Sequence, residues 1–298
     1  MENLGIKVIG LGEGGARIIN KILAAGTYHS TEFISVGNDE NIMLTSTTRK
    51  NIFLNRDLTT LYKNFSDTLR GAKLIFLVGG LASNAARVAV PIITSRAKNI
   101  GAVIVALFCR PSVLESFLRK NNAEYTLNNL RGQVDTLIVV PAEKFLLFCM
   151  RQQKISMEEL FDVADDIFCR GVKIFLEMFT EVDSSLALFK WGNAMFGYGA
   201  ATTALDAIKV AVKFPLFEED DLKDTPIIFV RLVSGKSLQY NSIEAVESFI
   251  RKQLPPDAKY FSQEDTNPAL GDKIVASIIL TRKQLDVKDT RIDLLRLI

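Results

Sequence analysis

The sequence predicts an α/β protein with three parts: a doubly wound parallel-sheet domain, a long central helix and a smaller α+β C-terminal domain. Three observations predict it. Apolar strand-type runs alternate with helical patterns through the first 150 residues, as in sheets buried on both faces. The stretch Ile6-Lys7-Val8-Ile9-Gly10-Leu11-Gly12-Glu13-Gly14-Gly15 passes from strand into a glycine cluster and then into the helix-compatible run 16–23. Further on, Ser156-Met157-Glu158-Glu159 has the form of a capping box and opens an amphipathic run of about 24 residues.

Taken in order, strands are expected at 5–10, 32–37, 51–54, 73–79, 102–108 and 135–140, each short and rich in Val, Ile and Leu. Helices are expected between them at 14–25, 57–70, 82–98 and 112–131. The central helix carries Leu160, Phe161, Val163, Ala164, Ile167, Phe168, Val172, Phe175, Leu176 and Phe179 on its apolar positions. After it come a helical segment at 200–213, an acidic turn at 218–221, a strand at 226–233, a helix at 241–253 and a strand at 273–281. Residues 1–180, 181–282 and 283–298 are the expected first domain with its central helix, second domain and tail.

Glycines at the first turn let the backbone bend sharply and leave bare N–H groups facing an anion, at the positive end of a helix dipole. This makes the first domain one of nucleotide-binding type. Gly10-x-Gly12-x-x-Gly15 fits a dinucleotide fingerprint, with Asp39 ending the next strand. A tight strand-to-helix turn also calls for glycine without any ligand, and both readings stand at this point.

The bulk numbers exclude several classes. With 36 basic against 34 acidic residues the net charge is +2, so no charge excess points to nucleic acid or a membrane surface. Cys109, Cys149 and Cys169 are scattered in apolar settings and read as reduced core thiols, with no metal-site spacing. The single histidine, His29, lies in a polar stretch and reads as a surface residue, which argues against a histidine triad or a multi-histidine metal site. Trp191 reads as a packing residue. The first residues lack the layout of a signal peptide, and no apolar run nears the roughly 20 residues that span a bilayer. A cytoplasmic chain is the expectation.

With this layout in view, the chain resembles the FtsZ branch of the tubulin/FtsZ superfamily over residues 5–282. The resemblance rests on the first strand and turn, on Phe33-Ile34-Ser35-Val36-Gly37-Asn38-Asp39, and on Val134-Asp135-Thr136-Leu137-Ile138-Val139-Val140-Pro141. Ala164-Asp165-Asp166-Ile167, Met195-Phe196-Gly197-Tyr198-Gly199-Ala200 and the run 207–216 extend it.

The resemblance implies the tubulin/FtsZ fold and, as possible cofactor, GTP or GDP lying across the strand ends of the first domain. It places Gly12, Gly14, Gly15 and Asp39 beside the nucleotide, Glu115 at the ribose and Arg119 near the phosphates. Phe161 would pack against guanine, and Asp165 would accept from its two adjacent N–H donors. Arg17 stands where the family has an asparagine that helps hold the nucleotide. The phosphate half departs further: Ala82-Ser83-Asn84-Ala85-Ala86-Arg87-Val88 replaces a run of glycines, and a β-carbon at each position occupies volume the phosphates need. Only sixteen residues separate Leu54 from Gly71, too few for another phosphate loop of the family. At the catalytic loop Asp183 is a remnant acid, and Leu186 stands at the second aspartate, so no catalytic residue set is intact.

The expectation is therefore a non-hydrolysing, FtsZ-like cytoskeletal or cell-division-related scaffold that forms or modulates filaments. Its partners would be itself, head to tail, or an active FtsZ-type protein. A membrane adaptor would be a further partner through the tail 289–298, which faintly resembles the family's short terminal peptide. Nucleotide held in an altered mode, with Arg17 and Arg87 replacing lost N–H donors, stays open. So do an active GTPase with rebuilt phosphate contacts and an NAD-dependent oxidoreductase. No nucleic acid, metal or membrane insertion is expected.

Overall fold

The computed structural model describes residues 5–26, 28, 31–38, 47–48, 50–54, 57–145, 156–181, 190–214, 216–217 and 221–282. His29, Asp39, Cys149, Asp183, Leu186, most of the acidic turn and the tail 283–298 lie outside the described residues. The chain divides into two compact units, Met1–Gly192 and Asn193–Ile298.

The first unit holds six parallel strands: β1 Ile6–Leu11, β2 Thr31–Gly37, β3 Lys50–Phe53, β4 Leu74–Gly80, β5 Val103–Arg110 and β6 Thr136–Pro141. Their order is β3-β2-β1-β4-β5-β6, all in parallel register. All six residues of β1 are buried, as a strand covered on both faces requires. The order reverses direction between β1 and β4, where Leu11 pairs with Gly79. In open α/β sheets this switch point is where ligands bind.

Helices α1 Gly12–Ala24, α2 Leu58–Leu69, α3 Asn84–Ile100, α4 Phe117–Leu130 and α5 Met157–Glu181 accompany the sheet. All of them except α1, whose cap position is Leu11, start on a side-chain cap. Asp57 accepts from the N–H groups of Thr59 and Thr60, Ser83 from Ala86 and Ser116 from Arg119. The capping box expected at α5 is formed: the Glu159 N–H donates to Ser156 Oγ at 3.1 Å, and the Ser156 N–H donates to Glu159 Oε2 at 3.0 Å. Helix α4 starts five residues later than its pattern predicts, because Ser116 is the cap and residues 112–116 form a turn after Pro111.

The second unit contains β7 Gly192–Ala201, α6 Ala204–Val212, β8 Ile227–Ser234, α7 Tyr240–Arg251, β9 Lys259–Thr266 and β10 Ile274–Arg282. Its strands run β7-β10-β8-β9, with β10 antiparallel to both neighbours and β8 parallel to β9. Ile208, Val246, Val230 and Ile278 lie at its core. Two strands, β7 and β9, are absent from the expected pattern. Glycines and small residues mask β7, yet a β-carbon at Gly199 would sit 2.4 Å from the Ala207 carbonyl oxygen, so glycine lets α6 lie directly on that strand. Strand β9 is polar and largely exposed, so it carries no apolar alternation to read.

The glycines of the first turn divide by role. A β-carbon at Gly15 would lie 2.6 Å from the Gly10 carbonyl carbon and 2.7 Å from the Val78 oxygen, whereas one at Gly14 meets nothing closer than Arg17 Nη2 at 3.9 Å. Gly15→Ala should therefore lower stability by about 1–3 kcal/mol. Gly14→Ala should be neutral or stabilise by up to about 1 kcal/mol, because it removes a glycine from a helix. Urea unfolding of the two variants checks the contrast; equal losses would remove the packing role assigned to Gly15.

Candidate functional site

A cavity of about 940 Å³ opens where the strand ends of β1, β4 and β5 meet α1 and α5. Each wall follows from the local chain. Gly12, at φ +76°, ends β1 in a left-handed turn and lies against Ser83, where a β-carbon would come 3.1 Å from the serine Cβ. Gly14, Gly79 and Gly80 line the cavity, and α5 presents Phe161 and Asp165, four residues apart and so on one face.

Of the residues predicted from sequence, Gly14, Glu115, Arg119, Phe161 and Asp165 line this one cavity. Gly12 and Gly15 lie behind its wall and serve the turn and its packing. Asp39 and Asp183 fall outside the described residues. Arg87 does not line the cavity; its Nη2 donates to Asn84 Oδ1 at 2.9 Å within its own helix. Residues that the sequence reading did not single out also line the cavity, among them Glu13, Ser83 and Cys109. Burial is the main reason the Cys109 thiol is pushed up to about 12, with Glu115 and Glu143 adding to it, so it is no thiolate nucleophile at neutral pH.

Arg17 is the centre of the arrangement. Its Nε donates to Asp165 Oδ2 at 2.9 Å, its Nη1 to Glu13 Oε1 at 3.1 Å, and its guanidinium lies 5.1 Å from the centre of the Phe161 ring. Lys21, one turn later, reaches Asp166 at 2.7 Å and the Asp162 carbonyl at 3.3 Å, so α1 and α5 are joined along a stripe of charge pairs.

Desolvation is the largest influence on both members of the central pair. It raises the Asp165 carboxyl above its usual range, and the bond from Arg17 only partly opposes this. The same desolvation pulls Arg17 down, but Asp165 and Glu13 outweigh it and its value is raised. The two directions disagree on whether pairing offsets burial. The Asp165 direction governs, because its side chain is 10% exposed against 38% for Arg17.

A guanine nucleotide, the group the sequence resemblance implies, does not fit these residues as they stand. The acceptor and the aromatic face expected for the base are engaged by Arg17. Glu115 and Arg119 are ion-paired to each other, and Glu115 also accepts from the Ser112 N–H at 3.0 Å. At the start of α3, the Ala86 N–H that would face a phosphate donates instead to Ser83 Oγ at 3.0 Å. Among the described residues, five carboxylates and two arginines line the cavity.

No protein-family model matches the sequence. Among solved structures, the chain is similar to the FtsZ W319Y mutant of M. jannaschii, with a TM-score of 0.79 at 21% identity over 93% of this chain and 90% of that one. It is similar as well to an empty FtsZ dimer of M. jannaschii, at 0.82 and 21% over 95% and 89%. CetZ2 from Haloferax volcanii, a GTPγS-bound protofilament, matches at 0.76 and 15% over 95% of both chains. The architecture is the tubulin/FtsZ fold, as the sequence resemblance implies.

The raised Asp165 carboxyl has a pH signature. A value raised on folding contributes stability that is fully present below the unfolded 3.8 and is lost as pH rises through the folded value. The stability of the wild type relative to Asp165→Asn should fall as pH climbs through that window, and the Asp165 carboxyl carbon should titrate above 3.8 by NMR. A midpoint below 3.8 would show that the arginine more than offsets burial.

Proposed function

We infer that this chain is an FtsZ-like cytoskeletal or division-related subunit that uses its fold as an interaction scaffold and does not turn over GTP. One observation carries the reading: the polar groups expected to hold a nucleotide bond to one another, through Arg17–Asp165, Glu115–Arg119 and Ser83–Ala86. Phosphoryl transfer depends on positioned donors around the transferring group, and the sequence lacks them at Ala82–Val88 and at Leu186.

Association with copies of itself, or with an active FtsZ-type protein, is supported by two features. Two of the similar structures are an FtsZ dimer and a CetZ protofilament. In addition, Val113, Leu114, Phe117 and Leu118 are 51%, 80%, 76% and 69% exposed in one short stretch around the start of α4, an apolar concentration typical of association sites. A heterologous contact of this kind builds filaments, or caps them when one face has diverged.

A second reading, a polymerising GTPase with rebuilt phosphate contacts, is favoured by the cavity itself, whose roughly 940 Å³ lies in the range of small-molecule sites. Phosphate release from GTP separates the two. The scaffold reading expects a buffer-level rate at every protein concentration; a specific rate that rises with concentration overturns it, since an active site shared between subunits assembles on association.

The association surface is tested by sedimentation velocity. Leu114→Glu and Phe117→Glu should each abolish self-association while changing stability by less than about 0.5 kcal/mol, because both side chains are solvent-facing. Unchanged assembly in both variants would remove this surface from the reading.

A further inference from the structure

The seat formed by Phe161 and Asp165 has a definite chemistry. Phe161 is 47% exposed and offers a ring face; Asp165, one turn on, is 7% exposed and offers carboxylate lone pairs largely screened from solvent. A π face beside a buried pair of acceptors selects a flat group that carries N–H donors along one edge. The guanidinium of Arg17 is such a group, and it meets both walls at once, with its central carbon 5.1 Å over the centre of the Phe161 ring and its Nε donating to Asp165. Glu13 holds its other end.

The edge of guanine that presents N1–H and the 2-amino group is itself a guanidine unit, N1–C2(–NH2)–N3. The arginine head and that edge therefore make the same demand on the same walls. Adenine does not, because its N1 is an acceptor and would face the carboxylate without a proton between them.

We propose that Arg17 is a built-in occupant of the Phe161–Asp165 seat, a side-chain surrogate for a guanine base that keeps guanine nucleotides out. The inference rests on reading the cavity as a degenerate nucleotide site and names what regulates entry to it. Where a side chain fills a seat nine-tenths of the time, the apparent affinity of a competing ligand falls tenfold. Removing the side chain returns that factor.

The test is equilibrium binding of GDP carrying a fluorescent N-methylanthraniloyl group on its ribose, read by anisotropy on the full chain. Arg17→Asn and Arg17→Ala should bind it at least about tenfold more tightly than the wild type. The matching ADP probe should show no gain. Millimolar methylguanidinium should displace the GDP probe from Arg17→Ala by refilling the seat. Arg17→Lys keeps a cation beside Asp165 but loses the flat face and the donor edge. It should also bind the GDP probe more tightly than wild type, and it decides the matter if the smaller replacements fail to fold.

Affinity in the variants that equals or falls below the wild type, absence of binding in all of them included, overturns the proposal. An equal gain for ADP overturns the base assignment. A role confined to joining α1 to α5 would lower thermal stability without creating methylguanidinium-sensitive binding. These readouts are separate from GTP turnover by the wild type, so failure of the scaffold reading and failure of this inference are distinguishable.

Discussion

The near-contact of α1 with β1 and β4 is the constraint from which the site follows. Gly10 and Gly15 approach so closely that a β-carbon on either would fall within 2.8 Å of the other's backbone, and one on Gly15 would also strike the Val78 oxygen. This draws the first turn of α1 onto the sheet and buries Ile18, Ile19 and Ile22 against it. The helix rotation is then fixed by its 3.6-residue period, which places Arg17 and Lys21 on the side facing α5. There they meet Asp162, Asp165 and Asp166, which follow the same spacing on the opposing helix. A bulkier residue at 15 would move the helix outward and take both cations from their partners.

Much of this was legible in the sequence, for reasons that differ by element. Strands β1, β4 and β5 are continuous apolar runs because both faces are covered, and their positions are read within two residues. Helix α5 announces its start through Ser156 and Glu159. Strand β7 was hidden because its glycines at 197 and 199 serve the approach of α6, a reason that lies in tertiary packing and leaves no local pattern. Of the candidate site residues, Gly14, Glu115, Arg119, Phe161 and Asp165 share one cavity, Gly12 and Gly15 do not line it, and Asp39 lies outside the described residues. The present bonds of the cavity residues were not legible. Arg17 is visible as an unusual residue at its position, but its partner lies 148 residues away, and no spacing rule connects them.

The Arg17–Asp165 pair also explains how the cavity wall accommodates a buried carboxylate. A carboxylate as buried as Asp165 is costly in a pocket that is empty part of the time, because desolvation favours its neutral form and no donor compensates. A ligand supplies donors only while bound. An arginine on the neighbouring helix supplies a donor permanently and adds a cation–π contact to Phe161. On the proposed reading, Arg17 stabilises the free protein by the same contacts with which it would oppose a ligand, the usual direction of the trade between stability and binding function.

The two halves of the pocket are linked through that trade. With Ser83 capping α3 and alanines along its first turn, the start of that helix offers an anion one fewer free N–H donor and no glycine-lined space. On the proposed reading, a base bound there would gain little from that wall, and Asp165 would be left without a donor unless the chain itself supplied one. On the proposed scaffold reading, the capped start of α3 and the arginine at 17 act together at one cavity, while the exposed side chains of Val113, Leu114, Phe117 and Leu118 do not line it and are open to association.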